Sequence, residues 1–186
     1  MNPAYTLFHK KAEVNKQLYT LLRFAVNCDN VSAFVKTDDA AITFLTAQNK
    51  KINICNYEDG DTSKYNDAVS IAKELDINLN IFKELDSSID ASVELLYIDT
   101  VAEGNLKAME LAKFGANVKK YIILNKTSKF AHNPEQDTRL PIDKKIGVVF
   151  GINHFLQTND DWFILHHDDV DPGMTVLVNR KNVNAY

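Results

Sequence analysis

The sequence contains little glycine, cysteine, proline and tryptophan, with 6, 2, 4 and 1 residues respectively in a chain of 186. No apolar run approaches the ~18 residues that a membrane-spanning helix needs, so we expect no membrane association. The first residues lack the charged and apolar regions of a secretory signal peptide, which favours a cytoplasmic protein. Cys28 and Cys55 stand beside predicted buried strands. In a reducing compartment we expect both to be free thiols.

Basic residues are scarce in the middle of the chain. Residues 57–111 contain thirteen acidic and only four basic side chains, in a protein of net charge −4. Phosphate contacts need clustered Lys and Arg, so this stretch argues against a nucleic-acid partner. One mild basic cluster is interpreted as solvated helix-end and loop residues, with a phosphate-binding patch as the alternative: Lys119, Lys120, Lys126 and Lys129.

The composition, 45% hydrophobic and 25% charged, is typical of a globular protein, and the length predicts one domain over residues 1–186. Apolar spacing predicts one amphipathic helix within residues 1–27, which would cover the sheet or mediate a homodimer. Strands and helices then alternate through a core at 28–180. The order predicts a doubly wound, mostly parallel, seven-stranded α/β sheet with a C-terminal antiparallel hairpin. The predicted strands are 31–35, 51–57, 78–82, 92–99, 121–125, 162–166 and 174–178.

The predicted strand ends carry the candidate site. Ligands of open α/β sheets bind beyond the carboxyl ends of the strands. The turn after the first strand lacks the glycines that normally let a cofactor approach the backbone, and Thr37 is the expected N-cap of the helix that follows. A carboxylate at Asp99 is either a ligand group or a helix cap. The rule selects Lys36, Thr37 and Asp38 after the first strand, Tyr57 and Glu58 after the second, Asp99 and Thr100 after the fourth, and Asn125 and Lys126 after the fifth.

Several segments of the second half match the pattern of a known family: Leu96-Tyr97-Ile98-Asp99, the segment 120–127, the run 147–156, Trp162, and Gly173-Met174-Thr175-Val176-Leu177. Through them the sequence resembles class I S-adenosylmethionine-dependent methyltransferases, and among them small bacterial and phage proteins similar to cephalosporin hydroxylase. The resemblance covers roughly residues 30–180 and implies a Rossmann-like sheet. It departs from the family where the glycine-containing turn is missing from 34–39, and where Asn125-Lys126-Thr127 replaces His-Asp-Thr.

The resemblance implies an S-adenosylmethionine-dependent, methyltransferase-like protein that methylates a hydroxyl of a small molecule or sugar. The alternative is a catalytically degenerate module that binds a protein partner. Asp99 would place the acceptor, and Asp99 or His132 would be the catalytic base. We expect no metal, because Lys126 stands where the family has a metal-binding aspartate and offers no ligand oxygen. The implied cofactor-binding residues are Lys36, Thr37, Tyr57, Glu58, Asp99, Thr100 and Asn125.

Several of these residues also have ordinary structural interpretations. Glu58 would hold the cofactor ribose, or it belongs to a solvated acidic loop. Lys36 would meet the methionine carboxylate, or it is a surface lysine. His132 is a base that reaches the site, or an ordinary loop histidine. The run 166–171 is rich in possible metal ligands, but strand alternation sends its side chains to opposite faces, which favours a hairpin with solvated acids.

Overall fold

The computed structural model describes residues 2–56, 61–83, 92–135 and 146–182. Seven strands form one mixed, mostly parallel sheet that ends in an antiparallel hairpin, which confirms the predicted Rossmann-like α/β fold class. The chain divides into two compact units, Met1–Ile98 and Asp99–Tyr186.

The first unit contains four helices and four strands. The helices are α1 (Pro3–Val14), α2 (Gln17–Ala25), α3 (Asp39–Thr46) and α4 (Asn66–Glu74), and the strands are β1 (Asn30–Val35), β2 (Lys51–Asn56), β3 (Asn78–Phe82) and β4 (Leu95–Ile98). The strands form a parallel part of the sheet in the order β3-β2-β1-β4. The inner strand β1 is buried along its whole length, as is usual for parallel sheets, which are covered on both faces.

Two predicted features of the helices in this unit are wrong. The single N-terminal helix is divided, because Asn15 leaves the helical conformation and its side chain accepts a hydrogen bond from the Gln17 backbone N–H at 3.3 Å. Both resulting helices pack against α3. The N-cap of α3 is Asp38, one residue after the predicted Thr37.

The second unit contains the antiparallel strands. Its elements are α5 (Gly104–Phe114), β5 (Tyr121–Asn125), α6 (Val148–Thr158), β6 (Trp162–Asp168) and β7 (Met174–Asn179). Strand β7 pairs with β5 on one side and with β6 on the other. Gly115, the C-cap of α5, keeps helical dihedral angles (φ −59°) and begins a short 3₁₀ helix.

Two glycines of the second unit are required by close approach. At Gly151 in α6, a Cβ atom would lie 2.7 Å from the Gly104 carbonyl oxygen and 2.7 Å from Lys107 Cβ, so α6 packs directly on α5. Gly173, in the turn before β7, has a φ of +81° and lies against the backbone of Ser128. The first contact fixes the helix that carries Lys107, and the second fixes the segment that follows β5.

Both cysteines are free and buried, as predicted, and burial raises the pKa of the Cys55 thiol to about 11. Among the described residues, no helix has the length and apolar character needed to cross a membrane.

Candidate functional site

The turn after β1 has no backbone conformation that requires glycine. None of residues 36–39 has a positive φ. Lys36 is half-buried and Thr37 is exposed. The missing glycines are therefore compatible with the backbone of this turn, although each side chain still occupies space beside it.

The two acids of this turn are paired with a lysine from α1. Lys11 Nζ lies 2.6 Å from Asp38 Oδ1 and 2.9 Å from Asp39 Oδ1, and we call these three residues the Lys11 cluster. Burial lowers the pKa of Lys11, but the hydrogen bonds and charges of the two carboxylates outweigh burial, so the pKa is raised. The Asp38 side chain makes no hydrogen bond to the first turn of α3. The carboxylates are therefore balanced by Lys11, and Asp38 leaves the amide groups of that turn uncapped.

Tyr57 and Glu58, the candidates after the second strand, lie outside the described residues.

Asp99 follows β4 directly, as predicted, and does not cap the next helix. The N-cap of α5 is Glu103, whose carboxylate accepts hydrogen bonds from the backbone N–H groups of Asn105 at 3.0 Å and Leu106 at 2.7 Å. The capping interpretation of Asp99 is therefore wrong, and its side chain, 24% exposed, takes part in a different set of contacts.

Lys126, at the end of β5, has an unusual backbone conformation. Its φ is +63°, a left-handed value that disfavours residues other than Gly, Asn and Asp. Gln48 and Asp76 also have positive φ values, but each lies just after a helix, where left-handed caps are common. Lys126 instead follows a strand, so a helix cap does not explain its conformation.

The left-handed conformation of Lys126 is explained by the backbone hydrogen bonds of the three residues that follow it. The Thr127 N–H donates to the Gly173 carbonyl oxygen, and the N–H groups of Ser128 and Lys129 both donate to the Pro172 carbonyl oxygen, each at 3.2 Å. The chain must therefore turn sharply at Lys126, which directs its side chain back toward Asp99.

The ammonium group of Lys126 lies between two carboxylates. Its Nζ atom is 3.5 Å from Asp99 Oδ1 and 3.3 Å from Glu135 Oε2. Glu135 is held in turn by Ala102, because the Ala102 N–H donates to Glu135 Oε2 at 3.1 Å and the Glu135 N–H donates to the Ala102 carbonyl oxygen at 2.8 Å. We call Asp99, Lys126 and Glu135 the Lys126 cluster. It joins the loop after β4 to the segment after β5.

Asp99 has a perturbed ionisation. Burial raises the pKa of this carboxyl, and the opposing effects of Lys126 and of a hydrogen bond from Asn125 do not cancel the increase. Asn125 is itself buried, and its Oδ1 atom accepts a hydrogen bond from the Lys126 backbone N–H at 2.9 Å. Asp99 is thus a stronger base than an ordinary aspartate and is held in place by its neighbours.

Thr100 points into a second charged cluster. Its hydroxyl donates to Glu110 Oε1 at 2.7 Å and accepts a short hydrogen bond from Lys107 Nζ. Lys107 Nζ also lies 2.9 Å from Glu110 Oε2, and both side chains are almost completely buried. Burial lowers the pKa of Lys107 despite the neighbouring Glu110 carboxylate. We call Thr100, Lys107 and Glu110 the Lys107 cluster. Thr100 follows Asp99 in the sequence, and the charge of Lys107 acts on the Asp99 carboxylate.

The structure describes His132, the alternative base, and the histidines of the run 166–171. His132 is exposed in the segment after β5. His167 lies within β6, where its Nδ1 atom is 2.7 Å from Thr175 Oγ1 and its Nε2 atom 2.8 Å from Asp169 Oδ1. In the part of the chain that the structure describes, no three His, Cys, Asp or Glu side chains are grouped to hold a metal ion.

The residues that complete the site were predicted only in part. The strand-end rule selects Lys126, but its interpretation as a solvated loop lysine is wrong, because its side chain is 19% exposed and paired with Asp99 and Glu135. Glu135, Lys107 and Glu110 were not singled out. For Lys107 and Glu110 the sequence gives no signal, because opposite charges three residues apart on a helix are equally typical of a solvated face.

No protein-family model and no curated protein sequence matches the chain. Solved structures do. A candidate caffeoyl-CoA O-methyltransferase from Staphylococcus aureus superimposes with a TM-score of 0.63 at 11% identity, over 96% of this chain and 93% of that one. An O-methyltransferase from Bacillus cereus, solved in complex with SAH, gives 0.58 at 10% identity, over 95% and 90%. A candidate O-methyltransferase from Klebsiella pneumoniae gives 0.56 at 14% identity, over 94% and 81%.

At such low sequence identity, the superpositions establish the architecture of the chain and leave its substrate and activity open. The strand order, the terminal hairpin and these superpositions agree on one conclusion: the chain has the fold of class I S-adenosylmethionine-dependent methyltransferases.

Proposed function

We propose that this protein binds S-adenosylmethionine and transfers its methyl group to a hydroxyl oxygen of a small molecule or sugar. The observation that carries the proposal is Asp99, a partly buried carboxylate of raised pKa at the carboxyl end of β4 in a methyltransferase fold. Ligands of such sheets bind beyond the strand ends, and a perturbed carboxyl there is a candidate functional group.

The first unit fits the cofactor in two respects. The acids of the β1 turn would repel the methionine carboxylate of the cofactor, but Lys11 balances both of them. The first turn of α3 receives no hydrogen bond from the Asp38 side chain, and amide groups at a helix N-terminus favour an anion. We assign Lys36 and Thr37 to the methionine end of the cofactor, and Tyr57 and Glu58 to its adenosine end, with Glu58 on the ribose hydroxyls.

In the second unit, Asp99 accepts the proton of the acceptor hydroxyl while Asn125 and Lys126 hold its carboxylate in place. S-adenosylmethionine held by the assigned residues would supply an electrophilic methyl group to the acceptor oxygen and would leave as S-adenosylhomocysteine when its carbon–sulfur bond is broken. Because the Thr100 hydroxyl is bound by Lys107 and Glu110, we assign Thr100 a positioning role on the loop after Asp99. His132 remains the second candidate for the base.

Thermal unfolding with and without S-adenosylhomocysteine tests the cofactor part of the proposal. Ligand at ~100 times its dissociation constant stabilises the folded state by ~2.7 kcal/mol, so we expect a clear rise in Tm. The variants Glu58→Ala and Asp99→Ala should reduce the rise, whereas the control Asp67→Ala, at an exposed acid of α4, should keep it. Absence of a shift at millimolar ligand in the wild-type protein would contradict cofactor binding.

The second candidate function is a catalytically inactive module that binds a partner protein. One observation favours it: the Lys126 ammonium is paired with the same carboxylate that would act as the base, and this contact opposes the rise in the pKa of Asp99 that burial causes. Thermal unfolding with S-adenosylmethionine and with S-adenosylhomocysteine distinguishes the two functions. A rise in Tm with S-adenosylhomocysteine favours the methyltransferase, and no rise with either cofactor form directs the search to protein partners.

A further inference from the structure

We infer that Lys126 is a built-in cation, whose ammonium group occupies the position that a divalent metal ion would take between Asp99 and Glu135. Two carboxylate oxygens from separate segments converge on its Nζ atom, at 3.5 Å and 3.3 Å. Carboxylate and amide oxygens are also the ligands of Mg²⁺, Ca²⁺ and Mn²⁺. The inference concerns cation binding and stands whether or not the protein transfers methyl groups.

The ligand geometry supports a cation at this point. Ca²⁺ binds oxygens at 2.3–2.6 Å, so the two carboxylates lie roughly 1 Å further out than ligands of a metal ion would. An ammonium group forms ion pairs at such separations, and Lys126 Nζ also hydrogen-bonds both carboxylate oxygens of Glu135, at 3.4 Å and 3.3 Å. A metal ion at the same point would stand against a positive charge that contributes no ligand oxygen. The chain therefore provides the charge of a metal ion without the ion.

The backbone supports the same assignment independently. Lys126 keeps a left-handed conformation (φ +63°) that lysine adopts at a cost, and it does so at a strand end, away from the helix caps where Gln48 and Asp76 adopt theirs. Left-handed backbone favours asparagine and aspartate over lysine. The hydrogen bonds of residues 127–129 impose this conformation but do not account for a lysine at this position, so its presence points to a role for its side chain.

Substitution by an oxygen ligand tests the assignment. Lys126→Asp removes the ammonium group, adds a third carboxylate and suits the left-handed backbone. Because the number of ligand charges tunes cation affinity over decades, we expect the variant to bind Mn²⁺ about tenfold or more tightly than the wild type by calorimetric titration, and its Tm to rise with Mn²⁺. The matched control is Lys129→Asp, which makes the same charge change at an exposed lysine of the same segment and should gain nothing.

Further variants make the result specific. Glu135→Gln, added to Lys126→Asp, should remove most of the gained affinity. Lys126→Asn, with a neutral amide oxygen, replaces Lys126→Asp as the test variant if circular dichroism shows that the latter does not fold. The inference is wrong if the folded variant binds Mn²⁺ no better than Lys129→Asp. It is equally wrong if the wild-type protein binds Mn²⁺ and Asp99→Asn removes that binding.

The wild-type protein gives a test that depends on no folded variant. Reductive methylation followed by mass spectrometry should modify Lys126 severalfold more slowly than exposed Lys129, because two carboxylates hold the Lys126 ammonium in a partly buried position. Equal rates at the two lysines would overturn the assignment.

Discussion

The Lys11 cluster of the first unit and the Lys107 cluster of the second both pair a lysine with carboxylate groups, but they differ in solvent exposure. In the Lys11 cluster the side chains are 16–30% exposed, and the pKa of the lysine is raised. In the Lys107 cluster the lysine and Glu110 are 1% and 4% exposed, and the pKa of the lysine is lowered. Carboxylates favour the charged lysine in both clusters, but at Lys107 the effect of burial, with a smaller contribution from Lys126, outweighs them. The first cluster is a partly solvated set of ion pairs. In the second, the lysine charge is buried and depends on its neighbours for stabilisation.

Breaking the buried pair gives the largest effect that we expect. Glu110→Ala removes the carboxylate that lies 2.9 Å from the buried Lys107 ammonium, and breaking a buried pair by removing one partner costs about 3–5 kcal/mol of the free energy of unfolding. Urea denaturation measures the loss.

A double variant shows whether this loss comes from the unpaired charge. Replacing both members by apolar side chains, as in Lys107→Met with Glu110→Leu, should restore most of the stability, since such replacements are often neutral. Glu74→Ala, at an exposed acid of α4, serves as the control and should change stability by less than about 0.5 kcal/mol. If the double variant were as unstable as Glu110→Ala, packing rather than charge would explain the cost.

The partly solvated cluster should be much less sensitive. Lys11→Ala removes both ion pairs of the β1 turn, and we expect a loss of about 1 kcal/mol, the upper end for exposed pairs. High salt should shrink the difference from wild type, because the Debye length falls to about 3 Å at 1 M. The neighbouring exposed Lys10→Ala is the control. A salt-independent loss as large as that of Glu110→Ala would remove the distinction between the two clusters.

The fold was predictable because the strands are apolar runs bounded by polar residues. The observed bounds of β3 and β5 coincide with the prediction, whereas β4 is shorter, at Leu95–Ile98 instead of 92–99. Its ladder with β1 contains only four residue pairs, and the sequence pattern does not show where pairing stops. The division of the N-terminal helix depends on one side-chain hydrogen bond of Asn15, which apolar periodicity does not register.

The candidate site was predictable only where strand topology determines it. Asp99 and Asn125 follow from the rule that ligands bind at strand ends, and both lie where the rule places them. The same rule gives the position of Lys126 but neither its partial burial nor its partner Glu135. Lys107 did not follow at all, because lysine is almost always exposed and only tertiary packing shows that this one is buried. Charged residues that are buried within a site are thus the feature that is hardest to predict from a single sequence.

The smallest predicted effect is the response of the two lysines to high pH, and it is opposite in sign. The pKa of Lys11 is raised above its usual 10.5 in the folded state, so its stabilisation is fully present below 10.5 and is lost as the pH rises through the folded pKa. The pKa of Lys107 is lowered, so its buried charge destabilises the fold below the folded pKa, and stability is regained as the pH rises from there to 10.5.

Urea denaturation of wild type, Lys11→Ala and Lys107→Met between neutral pH and pH values above 10.5 distinguishes the contributions of the two lysines. As the pH rises, wild type should lose its advantage over Lys11→Ala only above 10.5 and should gain relative to Lys107→Met below it. Each slope stays within the limit of about 1.4 kcal/mol per pH unit that one proton sets, and slopes of the same sign would mean that burial does not distinguish the clusters.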